Sequence, residues 1–133
     1  GGRFVGEFGG AGNIAAVRGA LDAALARRGL TVPDPWYFPT PEAFQSALET
    51  AGFRVRELAH FPRPTPVPTG LRHWLLTFAQ TQLAAAAPAA RDAVLDEVER
   101  TLRPVLCDAA GRWRVDYVRI RFAAELQSVT ERN

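Results

Sequence analysis

Apolar positions along the chain fall into three strand-like runs separated by stretches of helical spacing. In the first run, residues 3–8, Phe4 and Phe8 lie about Gly6 on one side and Val5 on the other, the pattern of a short strand buried on both faces. Gly9, Gly10 and Gly12 break it, and Asn13 stands where a side-chain oxygen would accept from the free amides of a first helical turn. Ile14, Val17, Leu21 and Leu25 then recur at helical spacing, with Gly29 placed to end the helix in left-handed conformation. Pro33, Pro35 and Pro39 forbid a helix through Trp36, Tyr37 and Phe38, which therefore fall in a loop. Thr40 and Pro41 make the cap and first turn of a second helix, Phe44 and Leu48 share its face, and Gly52 ends it.

The stretch FRVRELAHF sets Phe53, Val55 and Glu57 against Arg54, Arg56 and Leu58, which predicts a strand over 53–60 with one partly exposed face. Pro62, Pro64, Pro66 and Pro68 follow at every second position and read as an extended, solvated connector. Leu71, Trp74, Leu75 and Phe78 line a helix expected to run on into the alanines at 84–87. Pro88 divides it from another helix, in which Val94, Leu95, Val98 and Leu102 align and Asp92, Asp96, Glu97 and Glu99 fill the other side; Pro104 kinks or ends it. In the last run, over 113–122, Trp113, Val115 and Tyr117 hold one parity and Val118, Ile120 and Phe122 the other, which calls for a bulge or burial on both faces. Three strands and about four helices, alternating, define an α/β fold, read as a single domain over 1–133. The first strand is the kind that belongs inside a sheet, and three strands offer little inside.

Composition narrows the function classes. At 133 residues, 47% hydrophobic and 23% charged, the chain has the make-up of one globular domain, and no apolar run is long enough for a membrane span. No basic start followed by an apolar core marks a signal peptide. A single cysteine, Cys107, excludes an internal disulfide, and with only His60 and His73 beside it a structural zinc site is not expected; a cytoplasmic location fits. All sixteen basic residues are arginines, set against fourteen acids. They are dispersed, with no cluster beyond a pair such as Arg27 and Arg28, so the basic pI near 9.3 does not predict a nucleic-acid partner.

Candidate chemistry is thin. The loop Gly9-Gly10-Ala11-Gly12-Asn13 carries G-x-G, but the third position of the dinucleotide pattern is Ala15 and no second strand ending in an acid follows. A P-loop is excluded because the chain has no lysine. Ser46 and Ser128 lack a nucleophile-elbow context, and Cys107 reads as a small buried apolar residue. His73 reads as a base near a pocket or as a helix-surface histidine. The Trp36-Tyr37-Phe38 triplet, in a loop stiffened by prolines, is suited to ligand contact or to packing on the core. Arg119 and Arg121 would pair an anionic substrate or face solvent. No catalytic, cofactor-binding or metal-binding residue is assigned.

Four segments in order, GGRFVGEFGGAGNI, PWYFPTPEAFQSALETAGFRV, GLRHWLLTF and WRVDYVRIRF, resemble the C-terminal half of class I S-adenosylmethionine-dependent methyltransferases. The similarity is greatest to the small-molecule group that includes trans-aconitate methyltransferase and proteins labelled cyclopropane-fatty-acid-synthase-like. In that family the Rossmann-like sheet has seven strands, the seventh antiparallel between the fifth and sixth. The resemblance implies that residues 3–8, 53–60 and 113–122 correspond to the fifth, sixth and seventh strands, and that the first four strands, with the cofactor loop and the ribose-binding acid, are missing. It implies a crevice bordered by Phe8, Gly9 and Gly10, and a substrate cover formed by Trp36, Tyr37, His73 and Trp74. S-adenosylmethionine would serve the full-length enzyme, with none expected on this chain alone, and the chain alone would be inactive. A stand-alone ligand-binding or assembly module derived from such an enzyme is the alternative. The uncovered edge of the first strand predicts self-association.

Overall fold

The computed structural model describes residues 1–128. Its elements are β1 (Arg3–Gly9), α1 (Ala15–Ala26), α2 (Pro41–Thr50), β2 (Phe53–Pro66), α3 (Leu71–Phe78), α4 (Gln80–Ala84), α5 (Pro88–Leu106) and β3 (Arg114–Leu126). The strands form one sheet in the order β1-β3-β2. β3 is antiparallel to β1, in a register that sets Arg3 against Glu125, Gly6 against Phe122 and Gly9 against Arg119. It is antiparallel to β2 as well: the Gln127 N–H donates to the Gly52 carbonyl at 2.9 Å and the Val67 N–H to the Trp113 carbonyl at 3.0 Å, one residue number falling as the other rises. β1 and β2 therefore point the same way, which requires the long helical crossover between them. This is the expected α/β arrangement, with the last strand central and antiparallel.

The chain divides into two compact units, one comprising Gly1–Asn13, Tyr37–Arg63 and Tyr117–Asn133, the other Ile14–Trp36 and Pro64–Asp116. In the first, the strand unit, Leu48, Phe122 and Ala124 form a buried cluster against which Phe8, Phe44, Phe53, Val55 and Leu58 pack. Phe122 is its hub, with its ring centroid 4.8 Å from those of both Phe4 and Phe44 and close to edge-on to each. α2 sits here because its start is fixed locally: the Thr40 hydroxyl accepts from the Ala43 N–H at 3.1 Å and Pro41 occupies the first turn. Gly52, at φ 95°, turns the chain out of α2 into β2.

In the second, the helical unit, Val17, Leu21 and Leu25 of α1, Leu71 and Leu75 of α3 and Val94, Leu95, Val98 and Leu102 of α5 are buried as the periodicity predicts. α1 closes as expected, with Gly29 at φ 72° and the Leu30 N–H reaching back to the Leu25 carbonyl at 3.0 Å. The acids of α5 take up arginines from its neighbours: Glu97 pairs with Arg27 and Arg28, and Arg72 of α3 reaches Asp92, Asp96 and Glu99 at 2.8 to 3.1 Å. The hydrogen bonds that Arg72 donates to Glu99 and Asp96 hold its pKa above the usual arginine value.

Five expectations change. β1 is not buried on both faces: Phe4 is 46% and Val5 59% exposed, because the strand stands at the rim of the sheet with a neighbour on one side only. The prolines after 60 do not form a separate connector: β2 continues through Pro62, Pro64 and Pro66. At the end of β2 the odd-numbered Val67 turns its N–H to β3, so by alternation the even-numbered prolines leading up to it lack their N–H on the outer edge. Leu58 joins Phe53 and Val55 in the core, so the apolar parity of β2 shifts along its length. α3 stops at Phe78 and the short α4 follows, giving five helices; Ala79, at φ −113°, interrupts the helical geometry. α5 runs two residues past Pro104 and ends at Leu106, so of the two readings, a kink or an end, Pro104 is not the end. No helix among the described residues is long and apolar enough to cross a membrane.

Candidate functional site

The turn after β1 is built from the strand unit's own side chains. The Gly10 N–H donates to the Val118 carbonyl at 3.0 Å, the Ala11 N–H to the Pro39 carbonyl at 2.8 Å, and the His60 Nε2 lies 2.8 Å from the Ala11 carbonyl oxygen. Asn13 is 6% exposed, and its Oδ1 accepts from the Val118 N–H at 2.7 Å. It is not the helix cap. Gly12 at φ 89° and Ile14 at φ 49° are both left-handed, and this pair of turns aims Asn13 at β3. In the helical unit the capping role passes to Asp116: its Oδ2 accepts from the Ala16 N–H at 2.7 Å and its backbone carbonyl from the Ile14 N–H at 3.0 Å. A β-branched residue in left-handed conformation is a strained position, held here by burial of Ile14 to 2% exposure.

Gly9 and Gly10 are required by this packing. A Cβ at Gly9 would lie 2.6 Å from the Asn13 amide nitrogen and 3.0 Å from the Phe38 ring; one at Gly10 would lie 2.6 Å from the Ile120 side chain and 3.2 Å from His60. The cradle that glycine-rich turns offer to nucleotides is filled here by Asn13, Phe38 and Ile120, so the residues present do not fit a cofactor at this turn. Gly10→Ala is expected to cost about 1–3 kcal/mol by overpacking against Ile120, measured by urea denaturation. Trimming the neighbour, in Gly10→Ala with Ile120→Val, should recover part of that loss.

On the opposite face of the strand unit, Glu7 of β1 collects three guanidinium groups: Arg121 at 3.1 Å, Arg63 at 3.0 Å and Arg119 at 3.3 Å. The Phe61 ring lies beneath Arg63 and Arg121, whose Cζ atoms are 5.4 and 5.1 Å from its centroid. Arg119 and Arg121 are thus engaged with a carboxylate of the chain itself. Desolvation works to raise the Glu7 pKa, but the bonds from Arg121 and Arg119 and the charge of Arg63 outweigh it and hold the carboxyl below the usual range. A depressed folded-state pKa means that this contribution is complete above glutamate's ordinary value of about 4.3 and is lost as pH falls through the folded value. Glu7→Gln should therefore flatten the acid limb of a stability–pH curve, read from denaturation midpoints at neutral and acid pH.

The remaining candidate residues lie apart in chemical character. Phe8 packs edge-on against Phe44 at 4.7 Å in the strand unit, and Tyr37, in the same unit, is 75% exposed. In the helical unit Trp36 is half-buried, its backbone N–H donating to Asp34 Oδ1 at 2.9 Å while Asp34 pairs with Arg18. His73 is exposed; Trp74 is buried, with its ring 5.2 Å from Phe78. Cys107 closes α5 and bridges to Trp113. Among the described residues no group of three His, Cys, Asp or Glu side chains could hold a metal ion. Sequence reasoning missed Asn13 and Asp116 as the groups that build the turn, and His60 as its third support.

A sheet whose last strand runs antiparallel between two parallel ones, with a packed turn at the end of the first, has the order of the far half of a Rossmann-like methyltransferase sheet. No family model matches the chain. It is similar to the "Uncharacterized methyltransferase C70.08c" of Schizosaccharomyces pombe, with 35% identity over 128 residues, covering 92% of this chain and 49% of that protein. The chain thus spans about half the length of that relative.

Proposed function

We propose that this chain is the substrate-side half of an S-adenosylmethionine-dependent methyltransferase of the small-molecule group, and that it transfers no methyl group alone. The strand order β1-β3-β2 carries the reading, and the likeness to a methyltransferase twice as long supports it. In a full-length enzyme the far half contributes shape: it excludes water and aligns the acceptor atom, and the sulfonium methyl is supplied by the cofactor held elsewhere. Tyr37, with its ring free of the core, is the candidate best placed to touch a substrate, with His73 as the exposed polar candidate of the helical unit. Trp74 and Phe8 act through packing. The single unpaired Cys107 is in keeping with a reducing, cytoplasmic setting.

Calorimetric titration of the 133-residue chain with S-adenosylmethionine tests the proposal. No heat is expected, and micromolar binding would overturn it. The exposed rim strand favours a second reading, an assembly module derived from such an enzyme. It predicts a defined complex with unchanged secondary structure and no methyl transfer under any pairing.

A further inference from the structure

The joint between α3 and α4 sets local preference against tertiary structure. The helix breaks at Ala79, at φ −113° and ψ 29°, although alanine is the strongest helix former. Ala79 keeps its own bonds: its N–H reaches the Leu75 carbonyl at 2.9 Å, and its carbonyl accepts from the Leu83 N–H at 3.0 Å. The bonds that would carry a helix across the joint, from the Gln80, Thr81 and Gln82 N–H groups to the Leu76, Thr77 and Phe78 carbonyls, are not made among the described residues. Just before the break the Thr77 hydroxyl donates to the His73 carbonyl at 3.0 Å, a contact that bends helices. Past it, α4 has five residues and no side-chain cap, and it carries Gln82 inward. Gln82 is 3% exposed, and its Oε1 is buried without a hydrogen-bond partner. An unsatisfied carboxamide works against the packing that encloses it. What holds α4 is Leu83, 4% exposed, the small Ala79 and Ala86, and Arg91 of α5, whose Nε donates to the Leu83 carbonyl at 3.0 Å and the Ala86 carbonyl at 3.1 Å.

We propose that α4 is a flap with two settings. In the one described, the Arg91 latch and Leu83 keep the helix broken and Gln82 stowed. In the other, ψ at Ala79 moves from 29° to about −42°, α3 and α4 join into one helix, and the bonds missing at residues 80–82 form as Arg91 lets go. That rotation redirects the chain after Ala79. Leu83 and Ala86 leave the interior they now close, and the Gln82 carboxamide, a donor and an acceptor side by side, becomes available to an incoming molecule. The settings compete closely, since joining gains backbone bonds and frees the orphaned amide while the broken form keeps the latch and the burial of Leu83. Conflict between local preference and packing is what a bistable element requires. On the reading of the helical unit as part of a substrate cover, the flap governs entry beneath it; that link alone rests on the proposed function.

Nuclear magnetic resonance on the 133-residue chain reads the motion with no substrate present, so its outcome is separate from that of the methyltransferase reading. Relaxation dispersion should show microsecond-to-millisecond exchange at residues 79–83 and none at Val94, Leu95 and Val98 of α5. Arg91→Met keeps the apolar stem and removes the latch. It should slow hydrogen exchange of the Gln80, Thr81 and Gln82 amides at least about tenfold, because joining gives them acceptors, and move the Ala79 Cα shift toward the helical value. Simple fraying of α4 would do neither. Gln82→Leu leaves no group unpaired, so it should raise the thermal midpoint and quench the dispersion, which keeps the test open if the Arg91 variant does not fold. A native chain without dispersion at the joint, an Arg91→Met chain whose amides at 80–82 stay fast, or a Gln82→Leu chain that melts lower would each overturn the inference.

Discussion

Phe122→Ala is expected to destabilise the strand unit by about 3–5 kcal/mol. The ring is 5% exposed and meets Phe4, Phe44 and Phe8 at centroid distances of 4.8, 4.8 and 6.1 Å, so its removal empties the centre of an aromatic cluster that includes side chains from β1, α2 and β3. Gly6 supplies the check on the mechanism. A Cβ there would lie 3.1 Å from the Phe122 ring, because the two residues face each other across the β1–β3 ladder. Gly6→Ala should therefore weaken the native protein but not the Phe122→Ala variant, where the ring is gone. A double-mutant cycle by chemical denaturation reads the difference; additive costs would show that Gly6 is glycine for another reason.

Trp74→Ala should cost a similar amount, about 3–5 kcal/mol, in the helical unit. Trp74 is 6% exposed on the face of α3 that carries Leu71 and Leu75, both fully buried, and its ring packs on Phe78. Its neighbour His73 points to solvent, and His73→Ala should change stability by no more than about 0.5 kcal/mol. The pair separates two roles that the sequence leaves joined. On the proposed reading, a full-length enzyme carrying Trp74→Ala would lose activity together with folded protein, whereas one carrying His73→Ala would change activity only through substrate contact. If Trp74→Ala left the thermal transition unmoved, the packing role would fail.

Features set by neighbours in the sequence were legible from it. Thr40 caps α2, and Gly29 and Gly52 end their helices, because a cap or a left-handed terminator acts within one turn. The buried faces of α1 and α5 follow from spacing alone. The turn after β1 was not legible. Asn13 has the composition of a cap, but the amide it was expected to satisfy is taken by Asp116, one hundred positions away, and Asn13 instead satisfies Val118. Only the return of β3 brings those partners together. The glycines at 9 and 10 misled in the same way, since they resemble a ligand cradle yet make room for Ile120 and Asn13. The proline run was misjudged because proline bars a central strand but not a rim, and rim position depends on strand order. Exposure of Phe4 and Val5 likewise depends on what stands beside β1, which no pattern within the strand can report.

The prolines of β2 bear on how far such sheets can grow. A polymer of strands elongates only where both rims accept hydrogen bonds, and along residues 62 to 66 this rim has lost three successive donors. Addition of further strands is thus obstructed at that margin. Endless stacking of strand on strand is denied to it there, and concentrated solutions should stay free of fibrils.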